Sequence, residues 1–343
     1  MRVLVTGTEG YIGAVVPGIL HERGHEVLGV DTGFHRAGFL YRNGVPITPA
    51  TLSKDIRHLT ERDLEGIDAI VHMAELSNDP VGQLNPHITY EINHLGSLEL
   101  ARLAKRVGIE RFVYTSSCSV YGIAEQDTVD ESSPTNPQTA YAVCKTLVER
   151  DLGEMADDTF SPVFLRNATA YGASPRMRFD IVLNNLSGLA WTRREILMES
   201  DGTPWRPFVH IRDIARSIAC ALDAPRDVIH NEVFNVGSSG ANYQVRDIAE
   251  IVGAEFPDCV VSFAAGGGPD TRSYRVSFDK VNDVLPGFAC DWDAARGAAE
   301  LHAIFERIDM SESDFEWRGF TRLKQIRYLL ETGQIDDKFF WSA

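Results

Sequence analysis

Short apolar runs punctuate the first half of the chain, and each run stops at a glycine or a polar residue. Runs of this length that are rich in β-branched residues are typical of buried strands. Five such runs are predicted as strands: RVLVTG (2–7), HEVLGVD (25–31), DAIVHMA (68–74), RFVYTSS (111–117) and FSPVFLRNAT (160–169).

Longer segments with helical spacing lie between these runs. They are YIGAVVPGILHERG (11–24), YEINHLGSLELARLAKRVG (90–108) and a segment that begins near Tyr141. Strands that alternate with helices predict an α/β fold with a doubly wound parallel sheet and right-handed crossovers.

The alternation changes after about residue 170, where short helices, loops and a glycine run follow. We predict a first domain over 1–170 that regains a helix and a strand at about 206–238. Segments 171–205 and 239–343 are predicted to form a smaller C-terminal, substrate-binding lobe. Near its end, apolar residues recur with helical spacing and predict one docked terminal helix: Phe320, Leu323, Ile326 and Leu330.

Composition narrows the classes of function. The formal net charge of −16 disfavours non-specific binding to nucleic acid, although a local group of arginines could still hold an anionic small molecule. No apolar run is long enough for a membrane span, and the N-terminal run is too short for a secretion signal. We therefore expect a soluble protein without nucleic-acid or membrane partners.

The cysteines indicate a reducing compartment. Their number is odd and none forms a C-x-x-C pair, so we expect reduced thiols in a cytoplasm rather than disulfides or a zinc site. No metal is predicted. The five positions are Cys118, Cys144, Cys220, Cys259 and Cys290.

The stretch TGTEGYIG joins the first strand to the first helix. Gly7 permits a tight turn, Gly10 lets the backbone approach a pyrophosphate, and Gly13 lets the helix pack on the strand. Asp31, at the end of the next strand, could accept hydrogen bonds from adenosine ribose hydroxyls and would repel a 2′-phosphate. This context predicts a Rossmann dinucleotide site that prefers NAD to NADP, although the basic residues that follow Asp31 weaken the preference.

Tyr141 and Lys145 are four residues apart on a predicted helix, which places both side chains on one face. A free phenol has a pKa near 10, but a neighbouring ammonium and a bound pyridinium would favour the phenolate. Tyr141 could then act as a general base toward a sugar hydroxyl. The stretch YTSSCSVYG (114–122) supplies a serine that could share the proton.

With these motifs together, the sequence resembles the extended short-chain dehydrogenase/reductase family, in its nucleotide-sugar epimerase and dehydratase branch. The resemblance covers about 1–240 and a segment at 270–280. The matching features are TGxxGxxG at 6–13, Asp31, DIR at 55–57, HMA at 72–74, Asn93, TSSCSVYG, YxxxK, RNATAYGASP, RPFVHIRDIA, FNVGS and DTRSYRVSFDK.

The resemblance implies a role for each matching position. Catalytic roles fall on Ser117, Tyr141, Lys145 and Cys118. Contacts to NAD fall on Gly7, Gly10, Tyr11, Ile12, Gly13, Asp31, Asp55, Ile56, Met73, Ala74, Asn93, Tyr141 and Lys145, with Asn93 supporting the active-site strand. Contacts to a nucleotide-diphosphate sugar fall on Asn167, Arg176, Asn184, Arg206 and Arg272, with Arg178 as a further candidate for substrate selection.

Two positions depart from the family pattern. In dehydratases of this branch an Asp-Glu pair follows the catalytic serine or threonine, whereas this chain has Cys118 and Ser119. Cys118 is therefore either an acid/base group or a small apolar filler. Glu75 replaces a residue that is usually small, and its side chain either contacts a ribose or substrate hydroxyl or turns to solvent.

The leading hypothesis is an NAD-dependent epimerase acting at a sugar carbon of a nucleotide-diphosphate sugar, with C4 as the expected carbon. The alternative is a 4-dehydrogenase or 4-ketoreductase. A dehydratase is disfavoured, and a non-catalytic NAD(P)-binding sensor is the last of the alternatives. The resemblance also implies a homodimer formed through helices at 91–107 and 141–155.

Overall fold

The computed structural model describes residues 1–41, 48–123, 126–264 and 273–342. In chain order the strands are β1 (Arg2–Thr6), β2 (Glu26–Asp31), β3 (Ala50–Ser53), β4 (Ala69–His72), β5 (Arg111–Ser117), β6 (Thr128–Val129), β7 (Ser161–Asn167), β8 (Thr169–Tyr171), β9 (Glu195–Met198), β10 (Trp205–His210), β11 (Glu232–Val236), β12 (Asn242–Gln244), β13 (Val260–Phe263) and β14 (Arg275–Val276).

Seven of these strands form a central parallel sheet in the order β11-β7-β5-β4-β1-β2-β3. The predicted α/β Rossmann fold is confirmed. Strand order reverses beside β1, because β2 and β4 lie on opposite sides of it. Ligands of such sheets bind outside the carboxyl ends of the strands at this switch point.

The α-helices are α1 (Val16–Glu22), α2 (Asp79–Gly82), α3 (Pro86–Thr89), α4 (Ser97–Arg106), α5 (Ala140–Glu154), α6 (Val182–Arg193), α7 (Ile211–Asp223), α8 (Arg226–Ile229), α9 (Val245–Glu255), α10 (Asp279–Val284), α11 (Ala294–Ile308), α12 (Glu312–Glu316) and α13 (Arg322–Glu331). A π-helical segment, Tyr90–Gly96, runs directly into α4.

The first helix is shorter than the sequence predicts. It begins at Val16, and the predicted start at Tyr11 lies in turns. Pro17 lies in its first turn, where a missing N–H costs no helical hydrogen bond and the fixed φ favours the helix.

Side chains alternate across the central sheet and bury both of its faces. Val3 and Val5 enter one apolar cluster, whereas Leu4 enters another with Ile70 and Phe112. Burial on both faces explains why the strands read as nearly continuous apolar runs.

The smaller sheets lie outside the central one. Strands β12, β10 and β8 form a three-stranded sheet, and β13 pairs with β9 and β14 with β6. In the segment predicted to return to the sheet, β11 does so, whereas β10 joins the three-stranded sheet instead.

The predicted terminal helix is α13, and it is docked on the rest of the molecule. Ile326 and Leu329 are buried in a third apolar cluster that includes Phe34 and Leu76. This helix therefore packs against the segments that follow β2 and β4, although the sequence grouped it with the C-terminal lobe. Among the described residues, no helix has the length and apolar character that crossing a bilayer requires.

Candidate functional site

A cavity of about 480 Å³ opens at the carboxyl ends of β1, β4 and β5. Its walls include most of the residues singled out from the sequence. They are Gly7, Gly10, Tyr11, Ile12, Gly13, Asp31, Asp55, Ile56, Met73, Ala74, Ser117, Cys118, Tyr141, Lys145, Asn167, Arg178 and Arg206. The wall does not include Asn93, Arg176 or Asn184, and Arg272 lies outside the described residues.

The glycine loop forms a backbone cradle at the end of β1. Gly7 has a φ of +80°, and the N–H of Gly10 donates to its carbonyl oxygen at 3.0 Å. A Cβ atom at Gly13 would lie 1.9 Å from that same oxygen. A side chain there would push the turn apart, so the loop fits the close approach of a dinucleotide.

Asp31 is held at the cavity wall by two backbone donors. Its carboxylate accepts from the N–H of Gly33 at 2.7 Å and from the N–H of Glu9 at 3.0 Å. Burial raises the pKa of Asp31, and the two backbone donors oppose that rise. Lone pairs remain on both oxygens for ribose hydroxyls.

Arg36, which follows Asp31 and could have favoured NADP, is already engaged. Its Nε lies 3.0 Å from the Glu9 carboxylate, and its Nη2 donates to the Ser53 hydroxyl at 3.1 Å. The guanidinium is thus paired with an acid beside the glycine loop, which supports the predicted preference for NAD.

Asp55 and Ile56 line the far end of the cavity. The Asp55 carboxylate caps a 3₁₀ turn through the N–H of Arg57 and forms an ion pair with its guanidinium at 2.8 Å. The Arg57 guanidinium also lies 3.8 Å from the centroid of the Phe340 ring. The C-terminal segment therefore helps to fix the acid predicted to contact adenine.

Tyr141 and Lys145 lie at the start of α5, which is capped by the Thr139 hydroxyl. The Lys145 ammonium is 5.6 Å from the centroid of the Tyr141 ring. Burial has the largest effect on the pKa of Tyr141 and raises it, whereas Lys145 and Ser117 lower it. Three of the four residues predicted to be catalytic, Ser117, Tyr141 and Lys145, thus line the same cavity.

Glu75 does not turn to solvent, which was one of its two alternatives. Its side chain is 2% exposed, and its carboxylate forms an ion pair with Lys145 at 2.8 Å. The hydroxyl of Tyr114 donates to the other carboxylate oxygen at 2.6 Å. Glu75, which follows β4, turns inward because the buried Lys145 ammonium pairs with its carboxylate and the Tyr114 hydroxyl donates a hydrogen bond to it.

Cys118 has the contacts of a packing residue, the second of its two alternatives. Its side chain is buried, and its Sγ donates to the carbonyl oxygen of Arg166 at 3.2 Å. Burial raises the pKa of this thiol, so a thiolate at neutral pH is disfavoured. The geometry does not support the predicted acid/base role.

The two asparagines outside the cavity wall hydrogen-bond to other parts of the protein. Asn93 bonds both the N–H and the carbonyl oxygen of Leu76, at 2.8 and 3.1 Å, and so supports the segment that carries Glu75. Asn184 accepts from the N–H of Gly172 at 3.0 Å and donates to the Tyr11 hydroxyl at 3.0 Å. The Asn184 amide is thus engaged by the protein itself, and its contact with a diphosphate stays a prediction.

The arginines of the SPRMRFD stretch have different roles. Arg176 donates to the carbonyl oxygens of His35 and Arg36 and covers the Phe39 ring, so it ties a loop instead of lining the cavity. Its predicted role in substrate binding is not supported. Arg178 does line the cavity, and its Nη2 is buried without a hydrogen-bond partner among the described residues.

Sequence reasoning missed Arg322, which begins α13. Its side chain is 4% exposed and lines the cavity, and its backbone N–H donates to Asp180 at 3.0 Å. Asp180 also forms an ion pair with Arg178 at 2.7 Å. No local motif marks Arg322, because its neighbours in the cavity are remote in the sequence.

This sheet, loop and Tyr-Lys-Ser set define a dinucleotide-dependent enzyme of the short-chain dehydrogenase type. The family model described as NAD dependent epimerase/dehydratase matches residues 3–237. The chain belongs to this family and is an NAD-dependent enzyme.

Known proteins resemble the chain over most of its length. Human UDP-glucose 4-epimerase is 30% identical over 86% of this chain and 92% of its own. The Corynebacterium glutamicum enzyme of the same name is 28% identical over 83% and 90%.

Among solved structures, TunA, an NAD-dependent NDP-hexosamine 5,6-dehydratase, has a TM-score of 0.78 at 25% identity over 90% of this chain and 99% of that one. MoeE5 in complex with UDP-glucuronic acid and NAD has a TM-score of 0.75 at 26% identity over 90% and 99%.

Proposed function

We propose that the chain epimerises a nucleotide-diphosphate sugar at C4 and recycles its NAD. The observation that carries this proposal is the meeting of Tyr141, Lys145 and Ser117 in the cavity that also contains the glycine loop. The relatives named above as UDP-glucose 4-epimerases support the same reaction class.

Each of the three side chains would have its own part in the proton transfer. Tyr141 takes the proton of the C4 hydroxyl, Ser117 hydrogen-bonds the same oxygen, and the Lys145 ammonium favours the phenolate. NAD, when bound, would supply the acceptor for the hydride of C4 and the hydride that returns to the opposite face of the keto sugar. Tyr141 then returns the proton to the C4 oxygen of the sugar, whose configuration at C4 is now inverted.

The substrate diphosphate would lie toward Arg206 and Asn167. Arg206 lines the cavity and lies over the Tyr274 ring, 5.7 Å from its centroid. The buried Oδ1 of Asn167 has no hydrogen-bond partner among the described residues, as expected of a side chain that completes its bonds with a ligand. We propose that Arg272 joins them, as the resemblance implies, and that the predicted C-terminal lobe holds the nucleotide.

A dehydratase remains disfavoured even though TunA is a structural neighbour. The slots that carry the Asp-Glu pair in dehydratases of the family's branch hold Cys118 and Ser119. Neither side chain readily protonates a leaving hydroxyl, and burial raises the pKa of the Cys118 thiol further.

The decisive experiment follows purified protein with a panel of nucleotide sugars by NMR. We expect interconversion of C4 epimers with no net change in NADH absorbance at completion. Tyr141→Phe should abolish turnover while nucleotide-sugar binding persists. Net accumulation of NADH would instead identify the 4-dehydrogenase, and full activity of Tyr141→Phe would refute the catalytic role of this residue.

We infer a homodimer formed through the adjacent helices α4 and α5. The large side chain of Leu95, just before α4, is 50% exposed, and Val107, just after it, is 37% exposed. Exposed apolar side chains at the two ends of α4 support an interface that includes this helix. Light scattering should give twice the chain mass, and Leu95→Asp should shift the protein toward monomer.

We also infer a cytoplasmic location. All five cysteines carry free thiols, and Cys118, Cys144 and Cys220 are buried. Fractionation of the source cells with an antibody against the chain would test this location.

A further inference from the structure

Glu75 places a carboxyl group inside the catalytic group. Burial raises the pKa of this carboxyl, and the contacts with Lys145 and Tyr114 oppose that rise and favour the carboxylate. The Glu75 carboxylate and the Lys145 ammonium are both nearly excluded from solvent and lie 2.8 Å apart. A buried ion pair of this kind requires further hydrogen bonds to offset its desolvation. Tyr114 supplies one by donating to Glu75 at 2.6 Å, and the carbonyl oxygen of Thr115 accepts from Lys145.

These contacts fix the position of the Lys145 ammonium. It lies 4.6 Å from the centroid of the Tyr114 ring and 5.6 Å from that of Tyr141. The backbone beside Glu75 is fixed as well, because Asn93 bonds both polar groups of Leu76. The carboxylate is therefore held in place and not free to leave the ammonium.

The field that Tyr141 experiences is the sum of several charges. Burial raises the pKa of Tyr141 most; among the charges, Lys145 lowers this pKa, whereas Glu75 and Asp79 raise it. Lys145 also faces Glu149 on its own helix and the buried His72 on β4, whose pKa lies at about 3, so that this imidazole is neutral. Glu75 is thus the acid in direct contact with the ammonium that activates the phenol.

We propose that Glu75 is a positioning residue, a built-in counter-ion that holds the Lys145 ammonium and offsets its charge at the Tyr141 hydroxyl. This inference rests on the proposed function for its catalytic meaning. Its consequence is that Tyr141 remains a proton donor over a wider pH range than with a small residue at this position. Such a balance suits a reaction in which one side chain must both take and return a proton.

The test compares Glu75→Gln with the wild-type chain. Loss of the carboxylate should lower the pKa of Tyr141 by about one unit, because a charge within several ångströms is removed from a buried site. The acidic limb of kcat/KM should move to lower pH by that amount. Glu75→Asp should keep the wild-type profile because it keeps the charge. Glu75→Ala, which lacks the charge but has no amide that could disturb packing, should show the same shift as Glu75→Gln.

A second readout needs neither cofactor nor substrate. Phenolate absorbance is titrated in the wild-type chain and in Glu75→Gln, each against the same protein carrying Tyr141→Phe. We expect the Tyr141 midpoint to fall in Glu75→Gln, even if the proposed reaction proves wrong. Tyr114→Phe is the matched control, since it disturbs the same cluster but keeps the charge.

The role fails if Glu75→Gln and Glu75→Ala both leave the Tyr141 midpoint and the acidic limb in place. A fall in kcat without a shift in either would mark Glu75 as merely structural.

Discussion

The indole N–H of Trp341 donates a 2.6 Å hydrogen bond to the carbonyl oxygen of Thr32, the residue after Asp31. The same indole lies 5.6 Å from the Phe34 ring, and Gln325 donates to the carbonyl oxygen of Phe34 at 3.0 Å. The C-terminal segment is thereby fastened to the loop that follows the predicted ribose-binding acid.

Trp341→Ala should weaken NAD binding, because it frees this loop while removing a side chain that is 47% exposed and outside the main core. We expect an increase in Kd of about three- to tenfold, which matches the loss of about one hydrogen bond. Isothermal titration measures it. Trp341→Phe keeps a ring but not the donor, so its Kd for NAD should lie between those of the wild type and Trp341→Ala. An unchanged Kd for Trp341→Ala would show that the contact is incidental.

Asp31→Asn should lower NAD affinity by about 10- to 100-fold, since hydrogen bonds to a charged acceptor are the stronger ones. The preference for NAD over NADP should shrink as well, because a repulsive charge is lost. Parallel titrations with both cofactors check this. Equal losses for NAD and NADP would contradict the predicted discrimination.

Acid should weaken NAD binding through the same residue. Burial raises the pKa of Asp31 above its usual value, so the carboxylate is lost at a higher pH than an exposed aspartate would be. Affinity should therefore be complete above that raised pKa and decline as the pH falls through it. Asp31→Asn should show a flatter dependence when Kd is measured across the acidic range in which the protein stays folded.

Arg322→Gln should have opposite effects on stability and on binding. Burial, and then repulsion from Arg178, lower the pKa of Arg322, so its charge is unfavourable before an anion arrives. We expect the ligand-free protein to melt at an equal or higher temperature, and NAD to bind at least tenfold more weakly. Arg327→Gln, on the exposed side of the same helix, is the matched control and should change neither quantity.

Cys118→Ala should keep kcat within about threefold of wild type, since its thiol contacts a backbone carbonyl and its pKa is raised by burial. Ser117→Ala should cost about two orders of magnitude in kcat, as expected for the loss of a group that shares the transferred proton. Steady-state kinetics measures kcat for both variants and so distinguishes a catalytic role at Ser117 from a packing role at Cys118. A hundredfold loss in Cys118→Ala would restore the acid/base role that the geometry disfavours.

Local sequence patterns predict those features of this structure that backbone geometry decides. The strand RFVYTSS is β5 at its predicted bounds, and the glycine spacing at 7, 10 and 13 gives the turn it predicts. These features depend on residues that are close in the sequence. They were therefore accessible without knowledge of tertiary contacts.

Side-chain direction was not accessible in the same way. Arg176 and Arg178 are two residues apart in a loop, and only the second lines the cavity. Glu75 reads as a surface acid until Tyr114 and Lys145 are placed beside it. Such contacts follow from packing between distant segments, which no local pattern encodes.

The cavity wall draws on Gly7 at one extreme of the numbering and on Ile326 at the other. A ribosome adds residues in order, so a nascent chain that already carries the glycine loop, Tyr141 and Lys145 still lacks the side that α13 provides. Nascent chains that have not yet reached α13 should therefore bind the cofactor weakly, and firm capture of NAD should await synthesis of this helix.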